Sequence, residues 1–191
     1  MEIIKQNPKE VFLEICNKYI KRNGISNLLD YLEHSDFFTA PASTRFHSNC
    51  EGGLCLHSLA TFEILERLNE EFFCGYSNET IAIVGLFHDL CKIGLYKKEI
   101  RNVKEGNEWK QKEVYVHDEI LPLGHGEKSC IILSRFLELT FDECLAIRWH
   151  MGGFDCSVKG GDYSMNTATN KSTLVTLLQC ADMIASNVFQ K

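Results

Sequence analysis

The feature that most constrains the fold of this chain is the segment GLFHDLCKIGLY, in which a charged pair directly follows an apolar run. Residues 81–87 are almost wholly apolar and predict a buried helix that ends near Gly94. His88 and Asp89 continue this run, and Lys92 lies one turn further on. Burial of an imidazole beside a carboxylate is costly unless each group has a partner. The fold must therefore bring a partner to this pair.

The remainder of the chain predicts an all-α fold with one small β-hairpin. Apolar residues recur at helical spacing, as in a long helix from about Leu54 to Phe72. Thr140 and Glu143 have the spacing of a capping box that begins another helix. Alternating side chains in WKQKEVYV, together with Gly106-Asn107, predict a polar hairpin between Leu95 and His117.

Length, charge and cysteine content restrict the class of protein. A chain of 191 residues predicts a single domain, 1–191, large enough to bury a core. The net charge of -6 gives no electrostatic footprint for duplex nucleic acid. We see no apolar run of transmembrane length and no secretory signal pattern. Nine scattered cysteines without a CxxC pair indicate reduced thiols, and we expect a cytoplasmic protein.

Six polar residues lie inside or at the ends of apolar helical segments. A lone histidine of this kind is usually a satisfied core residue, and a lone helical aspartate is often a cap or an ion-pair partner. Together, however, neutral imidazoles and carboxylates are the ligands that Mn, Fe, Co, Ni and Zn accept, and a divalent ion would offset their burial. The six residues are His57, His88, Asp89, His125, His150 and Asp182.

The order of these residues resembles that of the HD-domain metal-dependent phosphohydrolases, which carry an H…HD…D pattern. HDLCKIG looks like the common HD-x-x-K-x-G form of that family. The wider pattern RFHSNCEGGLCLHS … HDLCKIG … GHGEKS … WHMGG … AD is similar to the HD domain of bacterial 3′–5′ exoribonucleases and their relatives. The resemblance covers about residues 46–187 and implies an HD-domain helical bundle, with the hairpin as an insertion.

The resemblance also implies how metal ions are held. The first ion would be bound by His57, His88, Asp89 and Asp182. Asp89 would bridge to a second ion that His125 and His150 bind. The ions implied are one or two divalent transition metals, namely Mn, Fe, Co, Ni or Zn, with Mg also compatible. A site with one ion is the alternative, and both histidines would then contact substrate as neutral donors or as a general acid.

The implied reaction is phosphohydrolysis by metal-activated water, on either a phosphomonoester or a phosphodiester. Lys92, three residues after Asp89, is expected to contact a phosphoryl oxygen. Lys128, near the start of a helix, is a second candidate anion contact. Arg45 and His47 are further candidate substrate contacts. They precede the first metal ligand, where the exoribonuclease relatives have FHH and this chain has RFHSN. A solvated surface charge is the alternative for Arg45 and Lys128.

The expected substrate is a small phosphate ester, with a nucleotide favoured over long nucleic acid. The exoribonuclease relatives usually carry an oligonucleotide-binding barrel, and this sequence has neither such a segment nor a basic stripe with interleaved aromatics. The hairpin and a glycine-rich loop, Gly152 to Asn166, are candidate specificity elements. Trp149 and Tyr163 could stack on a base, or else pack in the core or lie exposed. The sequence leaves the oligomeric state open.

Two other functions are compatible with the same motifs. Di-iron oxygenases resembling inositol oxygenase share the H…HD…H…H…D set and the lysine after the HD pair. A non-catalytic module could instead bind a nucleotide or a partner protein in the same pocket. The presence of all six ligand residues favours an enzyme, and iron content with oxygen consumption would separate the oxygenase from the hydrolase.

Overall fold

The computed structural model describes residues 7–45 and 48–189, and this part of the chain is mainly helical. An antiparallel pair of strands, β1 (Tyr96–Glu105) and β2 (Glu108–His117), forms the predicted hairpin, so the fold is helical but not strictly all-α. The helices are α1 (Pro8–Tyr19), α2 (Ile25–His34), α3 (Gly53–Glu71), α4 (Asn78–Phe87), α5 (His125–Ser134), α6 (Phe141–Trp149), α7 (Cys156–Lys159), α8 (Ser164–Lys171) and α9 (Thr173–Ile184). Short 3₁₀ turns lie at Leu90–Lys92 and Gly152–Phe154, and a π-helical turn follows at Ala185–Phe189.

Polar side chains cap the starts of α1, α4 and α6. The side chain of Asn7 accepts a hydrogen bond from the first turn of α1, and that of Ser77 accepts one from the first turn of α4. Thr140 and Glu143 form a complete capping box at the start of α6. Local hydrogen bonding therefore sets where these helices begin.

The core is built around α3, which packs against α4 and α9. α6 lies between α5 and α9, and α1 covers α3 and α4. Gly85 of α4 faces α3 so closely that a β-carbon there would lie 2.8 Å from the α-carbon of Phe62. A larger residue at this position would push the two helices apart. The close approach brings His57 on α3 and His88 after α4 to the same region.

The hairpin projects from the helical body, and most of its side chains are exposed. Its strands are joined by a tight turn at Gly106, whose φ is 60°. Contact with the body is made at the base, where Val116 is buried and the Tyr96 hydroxyl donates a hydrogen bond to the Ala42 carbonyl, 3.2 Å away. These contacts hold the base of the hairpin against the helical body, and β1 begins shortly after the HD segment in the sequence.

Two segments differ from the sequence expectation. α4 ends at Phe87 and not near Gly94, and a 3₁₀ turn covers Leu90–Lys92. The expected loop at 152–166 instead contains a 3₁₀ turn, α7 and the first residues of α8. α7 forms because the Asp155 carboxylate accepts a hydrogen bond from the Ser157 N–H, 2.8 Å away, and caps the helix.

Two further observations bear on the expectations about a membrane-spanning segment and about the redox state of the cysteines. None of the single helices in the described chain has the length and apolar composition to cross a membrane, although Ser164–Lys171 and Thr173–Phe189, bent by 108°, pass this criterion as a pair. All nine cysteines are free.

Candidate metal centre

The structure brings the six residues that the sequence singles out into one cluster. His57 lies on α3, His88 and Asp89 follow α4, His125 begins α5, His150 follows α6, and Asp182 lies on α9. The side chains of His125 and Asp182 are 26% and 15% exposed, and the other four are buried. Five separate segments therefore contribute one or two groups each to a largely buried centre.

Asp89 is the common neighbour of the cluster. Its Oδ2 atom lies 2.6 Å from the Lys92 ammonium, and its Oδ1 atom accepts a hydrogen bond of 2.8 Å from His125 Nε2. Three more imidazoles direct Nε2 toward the carboxylate, at 3.5 Å (His57), 3.4 Å (His88) and 3.6 Å (His150). A single carboxylate thus has protein partners on both oxygens and further nitrogens just beyond them.

The end of α4 explains how adjacent residues reach one point. His88 retains helical dihedral angles, whereas Asp89 departs from them at φ −105° and ψ 21°. Within a regular helix the two side chains would point about 100° apart. The departure from helical geometry lets them converge.

Two histidines have their tautomers set by the backbone. His88 Nδ1 donates to the Gly85 carbonyl at 2.9 Å, and His150 Nδ1 donates to the Ile147 carbonyl at 2.7 Å. With the proton on Nδ1, each ring presents the Nε2 lone pair to the centre. Metal-binding histidines are commonly oriented by this kind of hydrogen bond.

The lone pair of His150 provides a test of whether the residues fit a cation. Its Nε2 atom is buried and has no hydrogen-bond partner in the described parts of the chain, 7–45 and 48–189. A buried acceptor without a partner is costly, and a divalent cation would satisfy it. His57 Nε2 and His88 Nε2 also face each other at 3.3 Å, and Asp182 Oδ1 lies 3.1 Å from His57 Nε2. The donor set therefore fits one or more divalent ions.

The potential ligand atoms fall into three overlapping groups, in each of which all atoms lie within 4.8 Å of one another. His88 belongs to the first two groups, and Asp89 to the last two. His150 forms the second group with His88 and Asp89. Cys91 forms the third group with Asp89 and His125. The groups are His57, His88 and Asp182; His88, Asp89 and His150; and Asp89, Cys91 and His125.

The electrostatics of the centre keep its carboxylates ionised. Burial alone would raise the pKa of Asp89, but Lys92, His88 and His125 lower the pKa well below its usual range. Burial likewise opposes ionisation of Asp182, yet the hydrogen bond from His57 and its charge lower the pKa of Asp182. The pKa of Lys92 is raised despite burial because of the Asp89 carboxylate. Both aspartates are thus available as charged ligands.

The histidines are not equivalent. Burial lowers the pKa values of His88 and His125, which favours the neutral, metal-binding form. Burial acts in the same direction on His150, but the carboxylates of Asp89 and Asp182 outweigh it and raise the pKa of His150. The two carboxylates therefore favour a positive charge, either a proton or a metal ion, at the His150 ring.

The expected substrate contacts lie in different environments. Lys92 touches the metal cluster and its side chain is 11% exposed. Lys128 is not a solvated charge, because it is buried and its Nζ lies 2.8 Å from Glu119 Oε1. Arg45 is exposed in the loop before α3. His47 lies outside the described residues.

The two aromatic candidates for base stacking lie in different surroundings. Trp149 packs in a small apolar cluster with Ala168 and Val175, and the Arg148 guanidinium lies 3.8 Å from its ring centroid. Tyr163 is exposed. These are the core-packing and exposed arrangements that the sequence left open.

Cys91 is the residue of the centre that the sequence interpretation missed. Its sulfur lies 3.3 Å from His125 Nδ1 and 3.4 Å from Nε2, and burial raises the pKa of the thiol to about 12. The sequence interpretation treated all cysteines as ordinary reduced thiols. The available signal was position, since Cys91 lies inside HDLCK, two residues after Asp89.

Comparison with known proteins gives one match. The family model described as HD domain matches residues 56–187, which is more than half of the chain and includes all six residues of the cluster. No curated protein and no solved structure matches the chain.

Proposed function

This chain belongs to the HD domain family, and we propose that it is a metal-dependent phosphohydrolase acting on a nucleotide or another small phosphate ester. Proteins of this family are generally metal-dependent hydrolases. The observation that carries the proposal is the convergence of imidazole and carboxylate groups around Asp89, where the buried Nε2 of His150 has no hydrogen-bond partner among residues 7–45 and 48–189.

The proposed ligands of the first ion are His57, His88, Asp89 and Asp182, and Asp89 extends toward a second position at His125. His150 lies between these positions, 3.6 Å from Asp89 Oδ1. A divalent ion in such a site supplies Lewis acidity, which lowers the pKa of a bound water toward neutrality and polarises a phosphoryl oxygen. The proposed metals are Mn, Fe, Co, Ni or Zn, with Mg also compatible.

Lys92 is the proposed phosphate contact. Its ammonium carries three donors, and one of them is directed at Asp89 Oδ2. The ammonium can direct its other donors at a phosphoryl oxygen that approaches the metal centre, and the partial exposure of the side chain permits this approach. The Lys128 charge is already offset by Glu119, so its contribution to anion binding is expected to be smaller. Arg45 and His47 remain proposed contacts from the loop before α3.

The choice of a small substrate rests on charge and on motif resemblance. The net charge of -6 disfavours long nucleic acid, whereas the motif order resembles that of bacterial 3′–5′ exoribonucleases, whose reaction takes place at a phosphate ester of a nucleotide. A free nucleotide reconciles these two features.

The test is a metal-dependent activity screen. The protein is stripped with a chelator, reloaded separately with Mn, Co, Ni, Fe or Mg, and assayed against a panel of nucleotides and phosphodiesters. We expect phosphate-ester hydrolysis that depends on the metal and disappears after chelation. Oxygen consumption by the iron-loaded protein without hydrolysis would contradict the proposal in favour of an oxygenase. Nucleotide binding without turnover for every metal would contradict it in favour of a binding module.

A further inference from the structure

Cys91 is buried in an unusual place for a core cysteine. Cys16 and Cys55 pack inside the main apolar cluster, whereas Cys91 belongs to neither apolar cluster of the described chain. Its sulfur faces both ring nitrogens of His125, at 3.3 and 3.4 Å. Cys91 is therefore surrounded by polar groups of the metal centre.

The backbone holds this sulfur in position. The Cys91 N–H donates a hydrogen bond of 3.0 Å to Ser129 Oγ, which ties the 3₁₀ turn Leu90–Lys92 to α5. α5 also carries His125 at its first residue. The same contact thus holds the backbone of Cys91 beside the helix that carries His125.

The three groups have the composition and spacing of a metal site. Ligand atoms of Asp89, Cys91 and His125 all lie within 4.8 Å of one another. With metal–sulfur and metal–nitrogen bonds of about 2.3 and 2.0–2.1 Å, a tetrahedral ion separates its sulfur and nitrogen ligands by roughly 3.6 Å. The observed separation is shorter by only a few tenths of an ångström. Because the sulfur is nearly equidistant from the two ring nitrogens and Nε2 donates to Asp89, the His125 ring must turn to direct a free lone pair at the ion.

We propose that Cys91 is a thiolate ligand of a second divalent ion, which it shares with Asp89 and His125. The inference rests on the proposed function only in requiring that the centre binds metal. Binding of the ion releases the thiol proton to solvent and forms the metal–sulfur bond. A thiolate shifts preference toward Zn, Co or Fe and away from Mg and Mn, because soft ligands select softer metals. His150, in this arrangement, belongs with His88 and Asp89.

The experiment uses the full chain, stripped of metal and loaded with Co²⁺. We expect X-ray absorption of the wild-type protein to show sulfur at about 2.3 Å from cobalt, and the ultraviolet spectrum to contain a sulfur-to-cobalt charge-transfer band. Cys91→Ser should lose this band and bind one cobalt ion instead of two, as measured by mass spectrometry. These readouts do not depend on activity.

Cys55→Ala is the matched control, because Cys55 is equally buried and lies two residues before a proposed ligand, His57. This variant should keep the band and both ions. A wild-type protein that binds cobalt without a sulfur neighbour would overturn the inference and leave the proposed function intact. Loss of the band in Cys55→Ala, or its retention in Cys91→Ser, would likewise assign the sulfur elsewhere. Failure of the wild type to bind any divalent ion would overturn the proposed function together with the inference.

Discussion

Asp89 and Glu143 are both buried carboxylates whose pKa values are lowered, yet their surroundings differ. Both oxygens of Glu143 are occupied by donors. Arg22 binds them in a bidentate manner at 2.7 and 3.0 Å, and the Thr140 N–H adds a third hydrogen bond of 2.8 Å. These hydrogen bonds from protein groups offset the energetic cost of burying the Glu143 charge.

The surroundings of Asp89 include acceptors as well as donors. Lys92 and His125 supply protons, but the buried His150 Nε2 presents a lone pair at 3.6 Å, beyond hydrogen-bond distance. A buried carboxylate whose neighbours are all donors forms a structural ion pair. A buried carboxylate whose neighbours also include nitrogen lone pairs needs a cation to satisfy those lone pairs. The kind of neighbour, and not burial or pKa, distinguishes the two.

The largest expected effect comes from Asp89→Asn, which keeps the size of the side chain and removes its charge. We expect loss of the bound ions and a fall in turnover of more than about 100-fold, since even the partners of metal ligands contribute 10–100-fold. Metal analysis by mass spectrometry and steady-state kinetics provide the measurement. Glu143→Gln is the matched substitution at the other carboxylate, and its metal content should equal that of the wild type. Retention of both ions in Asp89→Asn would contradict a central role for Asp89.

Removal of metal should destabilise the wild-type protein by about 4 kcal/mol, if the free ion is present at roughly 1,000 times its Kd before removal. The reason is that an ion bound only by the folded state adds its binding energy to the free energy of unfolding. Thermal melting with and without chelator measures the change. The Asp89→Asn variant should show no such difference. Equal melting curves for the apo and loaded wild-type protein would argue against a buried ion.

Arg22→Met should lower the free energy of unfolding by about 3 kcal/mol, because it leaves the buried Glu143 carboxylate without its cation. Denaturant titration measures the loss, and metal content per folded chain should not change. The double variant Arg22→Met/Glu143→Leu should recover much of the stability, since it removes the unpaired charge. If Arg22→Met alone were as stable as the wild type, Arg22 would contribute little to stability at this site.

Lys92→Ala should reduce turnover by about 10–100-fold, the value of a charge-assisted hydrogen bond of roughly 1.5–3 kcal/mol. Metal content should stay near that of the wild type, because the ammonium is not a ligand. Lys97→Ala, at an exposed ion pair on the hairpin, is the control and should leave turnover unchanged. Joint loss of metal and turnover in Lys92→Ala would assign Lys92 to support of the centre instead of substrate binding.

The smallest expected effect is a pH dependence of stability at Glu143. Its folded-state pKa lies below the ordinary value of 4.5, because Arg22 and the Thr140 N–H outweigh the effect of burial. The stabilisation is therefore present above pH 4.5 and is lost as the pH falls through the folded-state pKa. Melting curves from pH 6 to pH 3 should show the advantage of the wild type over Glu143→Gln shrinking on acidification. A constant difference would show that Glu143 does not titrate in this range.

Local patterns were sufficient to predict several elements. The alternation in WKQKEVYV and the turn at Gly106 predicted the hairpin, and the spacing of Thr140 and Glu143 predicted the start of α6. The six polar residues were conspicuous because each interrupts an apolar segment. Such signals are readable because they depend only on neighbours in the sequence.

Pairings between distant segments could not be read in this way. The contact of Lys128 with Glu119 and that of Cys91 with His125 depend on how α5 sits beside the HD segment. α7 was missed because glycines surround it, and the contact of Arg148 with Asp155 at 2.9 Å comes from a different helix. These features follow from tertiary packing, which one sequence does not specify residue by residue.

The distribution of the centre over five segments has a consequence during protein synthesis. Its first residue, His57, leaves the ribosome long before Asp182 on α9, so the nascent chain carries only part of the set while the residues between them are synthesised. At synthesis rates of about 5–20 residues per second, this interval lasts several seconds. The full centre can assemble only after residues through Asp182 have emerged and α9 has docked on α3. Binding of an ion by the complete set of ligands thus follows the docking of α9.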